Sequence, residues 1–258
     1  MPNALGALEP EMTLFLLFLL YAVGLSIGLA RLGHRAGVPS SGEVPPQNPT
    51  RVLIVGATGG TGRQLVAQAL EQGFTVTALV RNPSRLLADH PRLTVAVGDV
   101  LDPTSVEAAM RGQEAVLSAL GHKRYFHPTR ILSEGTSNIL RAMEIHRVRR
   151  LVCETSLGIG DSAGRLGLYY TLLVIPLILP FYFLDKTRQE RIIAGSKVDW
   201  VIVRPGALTN GTKRGRLRHG SSVGSFLRTV RVSRADVAEF MLDQLASNEY
   251  LRTAPGVA

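Results

Sequence analysis

The sequence predicts an α/β fold, a doubly wound parallel sheet, carried behind an N-terminal transmembrane helix. Three observations predict it. From Arg51 onward, short β-branched runs alternate with amphipathic helical patterns. A glycine cluster, Gly56–Gly62, falls directly between the first such run and the first helix. Ahead of both, Met12–Ala30 runs for 19 residues without a charge.

That uncharged segment is long enough to span. At 1.5 Å per residue it covers about 28 Å, close to the roughly 30 Å hydrocarbon core of a bilayer. Glu9 and Glu11 precede it, and Arg31, His34 and Arg35 follow. The positive-inside rule therefore puts the C-terminal domain on the cytoplasmic side of a single-pass membrane protein. A cleaved signal peptide is the competing reading, but it needs a basic leading region, and residues 1–11 hold no Lys or Arg. The predicted divisions are an anchor over residues 1–36, a linker over 37–50 and one domain over 51–258. The linker is rich in Pro, Gly and Ser, and reads as an extended spacer holding the domain a short way off the bilayer.

Within the domain the elements follow in order. Arg51–Val55 is the first strand and Gly62–Gln72 the first helix, with Leu65, Val66, Ala69 and Leu70 on one face and Gly73 as its stop. Thr75–Val80 and Leu93–Val97 are strands. Asp102-Pro103 supplies an N-cap and a first-turn proline for a helix that Gly112 closes. Ala115–Leu120 is a fourth strand. Ile131, Leu132, Ile139, Leu140 and Met143 mark a longer helix. Leu151–Thr155 and Trp200–Val203 are strands flanking a Lys186–Ala194 helix. Ser233 and Asp236 form a capping box for a last helix over Arg234–Ala246. Strict alternation fixes right-handed crossovers and helices on both faces.

Of 258 residues, 45% are apolar, and the net charge is +9. Basic clusters lie at Arg141–Arg150, Lys213–Arg218 and Arg228–Arg234. No zinc-finger or helix-turn-helix pattern accompanies them and no aromatics interleave, which argues against nucleic acid. A basic surface facing an anionic leaflet fits better. Cys153 is the only cysteine, so an internal disulfide is excluded.

The glycine cluster carries the chemistry. It reads Gly56-Ala57-Thr58-Gly59-Gly60-Thr61-Gly62. Gly56 permits the sharp turn, Gly59 lets backbone approach a diphosphate, and Gly62 lets the helix pack on the sheet. Thr58, Gly60 and Thr61 complete the cradle at the positive end of the helix dipole. No Gly-Lys-Ser/Thr follows, which excludes a P-loop. The plain alternative is an ordinary glycine-rich turn. Past the second strand stands Arg81, with Ser84 and Arg85 near it. An NAD site places a carboxylate here, and an NADP site an arginine that pairs with the 2′-phosphate. NADP(H) is therefore the predicted cofactor, ahead of NAD(H), and a solvated surface arginine is the competing reading. Asp99 and Val100 end the third strand, where an adenine would rest, and Leu120-Gly121 end the fourth.

The motifs GATGGTG at Gly56–Gly62, VRNPSRL at Val80–Leu86, VGDVLD at Val97–Asp102 and SEGTSNI at Ser133–Ile139 resemble one family. TSLG at Thr155–Gly158, DWVIVRPGALTNG at Asp199–Gly211 and SRADVAEFML at Ser233–Leu242 do likewise. Together they resemble the atypical short-chain dehydrogenase/reductases, in the branch with NmrA-like proteins and biliverdin-IXβ/flavin reductases. The resemblance implies a Rossmann fold, a nicotinamide dinucleotide, and Thr155, Ser156, Pro205 and Gly206 lining the nicotinamide end. Ala207 stands where it would place a histidine near the substrate.

Tyr182 and Lys186 match the Y-x-x-x-K acid/base pair of short-chain dehydrogenases, one helical turn apart, with Ser156 as the serine companion. Packing or membrane contact is the alternative for Tyr182. Leu166–Leu184 is again uncharged but interrupted by Pro176 and Pro180. A regular span there would tear the following elements from their sheet. A buried lid, or a membrane-apposed lip admitting a quinone, flavin, tetrapyrrole or lipid, are the readings left. The chain is read first as a membrane-anchored NADP(H)-dependent oxidoreductase, second as a non-catalytic NADP(H)-binding sensor or assembly factor for a membrane complex. A lipid-binding protein that lost its cofactor is the third.

Overall fold

The computed structural model describes residues 10–33, 47–86 and 89–258. Most of the predicted linker, with His34 and Arg35, lies outside the described residues. An eight-stranded sheet runs in the order β3-β2-β1-β4-β5-β6-β10-β8. Its strands are β1 (Arg51–Val55), β2 (Thr75–Val80), β3 (Leu93–Val97), β4 (Ala115–Ser118), β5 (Arg150–Glu154), β6 (Asp199–Pro205), β8 (His219–Gly220) and β10 (Gly256–Val257). Every adjacent pair is parallel except β10 with β8. Two short strands, β7 (Ala207–Thr209) and β9 (Arg231–Ser233), pair separately and in parallel. Chain order reverses between β1 and β4, which opens a crevice at the carboxyl ends of the strands.

Alternation along β1 assigns the two faces. Val52 and Ile54 pack with Leu65, Val66 and Ala69 of α2 (Gly60–Glu71) and Val237, Ala238 and Met241 of α7 (Arg234–Asp243). Leu53 and Val55 pack with Val106 and Met110 of α3 (Pro103–Met110), Ile139 and Met143 of α4 (Ile131–His146) and Ile193 of α6 (Pro180–Ala194). Burying each such side chain contributes about 1.5–3 kcal/mol. The Asp102 carboxylate caps α3 by accepting from the N–H groups of Thr104 and Ser105. Gly73, at φ +95°, ends α2. Ser233 accepts from Asp236 N–H as predicted, while the Asp236 carboxylate also holds the N–H groups of Arg214 and Gly215.

Two boundaries differ informatively. Helix α2 begins at Gly60, two residues before the predicted start, with Gly59 as its N-cap, so more of the glycine turn is helical backbone. Helix α6 begins at Pro180, not Lys186, because proline suits the first helical position, where its missing N–H is no loss.

Helix α1 (Pro10–Leu32) is the only helix among the described residues that is by itself long and apolar enough to cross a membrane. It does not stand apart from the domain. Leu29 is buried with Leu157, Ile159, Leu166, Ile175, Phe183 and Val223, and the Tyr21 hydroxyl donates to the Pro176 carbonyl at 3.1 Å. The expected spacer itself falls mostly outside the described residues, but apolar contacts fasten α1 directly to the β5–β6 crossover. In that crossover a π-helical turn over Tyr170–Val174 leads into the short α5 (Ile175–Leu177), and the path bends by 97° into α6. The break falls at Ile178 and Leu179, just before Pro180, whose missing N–H cannot continue the preceding turn, while Pro176 lies inside the first helical stretch.

Candidate functional site

The crevice floor is the glycine turn. Gly56 has φ +82°, and its carbonyl accepts from Gly59 N–H at 2.9 Å. A Cβ on Gly62 would stand 2.1 Å from the Gly56 carbonyl oxygen and 2.8 Å from Ala57 Cα. Only glycine fits there, and the first turn of α2 is left with exposed Gly59 and Gly60 facing the crevice. Such a helix start presents N–H groups to an anion. Thr58 is half-buried, and Thr61 turns inward, its hydroxyl donating to Glu154 Oε1 at 3.1 Å.

Arg81, Ser84 and Arg85 stand exposed on the short turn after β2, where Asn82 caps by accepting from the backbone and hydroxyl of Ser84. Arg63 of α2 reaches across to the Arg85 carbonyl at 3.3 Å, adding a guanidinium to this rim. Beyond β3, the Asp99 carboxylate accepts from Leu101 N–H at 3.0 Å. Val100 is mostly buried, its side chain 2.9 Å from where a Cβ on Gly135 would be. It serves helix α4 as much as the crevice.

At the end of β4 the ring of Tyr182 arrives from α6. A Cβ on Gly121 would lie 3.5 Å from the Tyr182 hydroxyl, an ordinary contact distance, so that oxygen stands beside Gly121 at the end of β4, with Leu120 packed on the core behind. Lys186 Nζ stands 5.2 Å from the Tyr182 ring centroid and donates to the Glu154 carbonyl at 3.4 Å. Burial pushes the Tyr182 phenol above its usual range, against the lowering pull of Lys186. Burial disfavours the Lys186 ammonium, yet the Tyr182 oxygen, Glu154 and Cys153 outweigh it and raise its pKa. Both groups therefore keep their protons near neutral pH, the state of a proton donor.

The sequence missed three residues of this cluster. His122 meets Tyr182 edge-on with centroids 4.9 Å apart, and Tyr125 does so at 5.9 Å. Both sit in the loop after β4, the carboxyl-end position where crevice residues belong, and that position was the available signal. Burial lowers the His122 pKa. The third is Glu154, a buried carboxyl with no sequence motif to announce it; burial raises it, against Lys186 and Thr61.

Ser156 is placed differently from its predicted partners: its hydroxyl donates to the Leu157 carbonyl at 2.9 Å. The Thr155 hydroxyl donates to Glu190 at 2.7 Å. Glu190 in turn pairs with Arg204 through two bonds of 3.0 and 2.7 Å, anchoring α6 to β6 from inside. Pro205 and Gly206 are buried, the latter where a Cβ would meet the Val230 carbonyl at 2.7 Å.

A guanidinium also lies over the glycine turn. Arg234, first residue of α7, brings Cδ and Nε within 2.5 Å of where a Cβ on Gly60 would be, and Asn210 Oδ1 accepts from it at 2.7 Å. The turn thus gathers helix N–H groups, Arg234 on one side and Arg63, Arg81 and Arg85 on the other. This arrangement fits a dinucleotide diphosphate with a phosphorylated ribose.

A family model described as NAD(P)H-binding matches residues 56–248. An uncharacterized chloroplast protein of Arabidopsis thaliana is 30% identical over 175 residues, 65% of this chain and 62% of its own. Protein TIC 62 of Pisum sativum is 26% identical over 242 residues, covering 83% of this chain and 43% of its own. Photosystem II assembly factor Ycf39 of Synechocystis is 32% identical over 105 residues, 40% of this chain and 32% of its own. The chain thus spans less than two thirds of these relatives' lengths. Among solved structures, a short-chain dehydrogenase/reductase of Veillonella parvula in complex with NADP superposes with a TM-score of 0.69 at 21% identity, over 82% of this chain and 95% of that one. ChuY, an anaerobillin reductase of Escherichia coli O157:H7, does so with a TM-score of 0.66 at 24% identity, over 81% and 96%. At these identities the likeness shows the shared fold. With the glycine turn and the family match lying on the same residues, the chain belongs to the NAD(P)H-binding family, on a Rossmann fold shared with solved short-chain dehydrogenase/reductase structures.

Proposed function

We propose that the protein is a membrane-anchored NADP(H)-dependent reductase whose acceptor is a lipophilic or conjugated molecule such as a quinone, flavin, tetrapyrrole or lipid carbonyl. The observation that carries this reading is the Tyr182 hydroxyl beside Gly121 with the Lys186 ammonium beneath it. The glycine turn and Arg234 would hold the diphosphate, and Arg81 the 2′-phosphate. The cofactor supplies the hydride. Tyr182 holds the proton for the acceptor oxygen, and Lys186 compensates the phenolate left behind. His122 and Tyr125 close the polar side of the acceptor pocket. Helix α1 supports the membrane placement, and Arg31 at its end favours a domain on the cytoplasmic face.

The test is NADPH oxidation by detergent-solubilised protein with quinone and flavin acceptors. Tyr182→Phe and Lys186→Met should each lower turnover by about 10²-fold or more, in the range of general acid catalysis, while leaving NADPH affinity within severalfold for Tyr182→Phe. Undiminished turnover in both variants would refute the assignment. A second reading, a non-catalytic NADP(H)-binding assembly factor, is favoured by the likeness to Ycf39 and TIC 62. It expects NADPH binding without turnover, and nucleotide-dependent association with a membrane complex.

A further inference from the structure

We infer that the domain is seated in the leaflet, not above it: the Tyr169–Ile178 segment and the Phe226–Leu227 loop tip insert beside α1 into an anionic membrane surface. This rests on reading α1 as a membrane helix, and it adds a surface that reading does not contain.

The first argument is depth. Leu29 and Tyr21 are two points on one rigid helix, and both are fastened to the β5–β6 crossover, Leu29 by burial against Leu166 and Ile175, Tyr21 by its bond to Pro176. Tyr21 lies ten residues before Arg31, about 15 Å along the axis at 1.5 Å per residue. With Arg31 at the interface of a core about 30 Å thick, Tyr21 approaches the midplane in an upright helix and stays below the headgroups in a tilted one. Pro176 goes where Tyr21 goes.

The second is backbone accounting. Pro180 has no N–H, so the Pro176 carbonyl four residues back has no helical donor. The Tyr21 hydroxyl supplies one. In water a solvent molecule would serve, whereas in hydrocarbon an internal partner is required.

The third is the surface itself. Tyr169, Leu173, Leu177 and Ile178 are exposed on this segment, and Phe226 and Leu227 are 57% and 72% exposed on the neighbouring loop. The loop belongs to the same corner: the Phe226 ring lies 3.3 Å from where a Cβ on Gly164 would be, and Ser225 bridges to Leu166. Of the seven basic side chains in residues 211–235, which carry this tip, Lys213 pairs with Glu239 and Arg234 lies over the glycine turn, which leaves Arg214, Arg216, Arg218, Arg228 and Arg231, with no acidic residue in the stretch. An apolar tip within a wholly cationic stretch is complementary to acyl chains beneath anionic headgroups.

Brominated-lipid quenching of full-length protein in phosphatidylcholine/phosphatidylglycerol vesicles tests this. Trp200, the only tryptophan, is buried at the opposite end of the sheet and serves as the unquenched reference. Phe15→Trp reports on α1, and Phe226→Trp and Ile178→Trp report on the new surface. All three introduced indoles should be quenched, the Phe226→Trp signal more strongly with phosphatidylglycerol than without. Quenching of Phe15→Trp alone would overturn the inference while leaving the membrane helix intact, and would leave the surface to another partner. Quenching of none would overturn both. Equal quenching of Phe226→Trp in purely zwitterionic vesicles would overturn the role of the cationic stretch.

Discussion

The carboxylate of Asp185, on α6, accepts from the backbone N–H and the hydroxyl of Ser133 at 3.2 and 2.5 Å, capping α4 from another helix. A second oxygen accepts from Leu132 N–H at 2.9 Å. The start of α4 is thus capped by the residue adjoining Lys186, so the helix that carries the Tyr182–Lys186 pair is fixed in rotation by the bond it gives its neighbour. Asp185→Ala should cost about 2–4 kcal/mol, the sum of a lost cap and stranded buried donors, read as a lower urea midpoint. Asp185→Asn, keeping one acceptor oxygen, should cost less.

Gly62 and Gly60 differ in what surrounds them. At Gly62 an added Cβ meets backbone at 2.1 Å, and nothing there can yield. Gly62→Ala should fail to fold or melt well below the unaltered protein. At Gly60 the obstacle is the Arg234 side chain, which can move. Gly60→Ala should fold, and should lose about tenfold in NADPH affinity, worth one charge-assisted bond, measured by nucleotide fluorescence.

Arg81 and Arg234 should separate the two phosphate sites. Arg81→Ala should weaken NADPH by about 10–100-fold, as a charged hydrogen bond of 1.5–3 kcal/mol implies, and leave NADH unchanged. Arg234→Ala should weaken both nucleotides alike, because both carry the diphosphate. Titration of each variant with each nucleotide checks the pattern, and selective loss of NADPH in Arg234→Ala would reverse the assignment.

Glu154 should make stability depend on pH. Burial raises its carboxyl above the ordinary 4.5, with Lys186 and Thr61 pulling the other way. A carboxyl that binds its proton more tightly when folded contributes stability below its unfolded pKa, and that contribution is lost as pH rises through the folded value. Glu154→Gln should therefore gain in Tm over the unaltered protein between about pH 5 and pH 8. A gap that narrows over that range would contradict the sign.

The strands and the glycine turn were legible because β1 and β2 are short β-branched runs, β4 and β5 are short runs bounded by turn residues, and Gly56 and Gly62 fall directly between a strand and a helix. The Y-x-x-x-K spacing was legible too, and the structure places Tyr182 and Lys186 on one face of α6. Ser156 was not, since its hydroxyl answers to the local Leu157 carbonyl, a bond without a sequence signature. Glu154, Asp185 and Arg234 escaped for a shared reason. Each acts on a residue 93, 52 or 174 positions away, and such pairings are set by how strands and helices stack, which periodicity does not encode.

The β5–β6 crossover bears on how the molecule is made. All of β5 pairs with β6, from Arg150 beside Asp199 to Glu154 beside Val203, yet residues 155–198 must find their place before that pairing can close. Long loops of this kind slow sheet formation and leave strand edges waiting. Helix α1, made before either strand, grips this very crossover through Leu29 and Tyr21. On the proposed reading of α1 as a membrane helix, targeting to a bilayer and completion of the sheet become successive steps of one assembly, and a nascent chain denied its membrane should accumulate with its C-terminal strands unpaired.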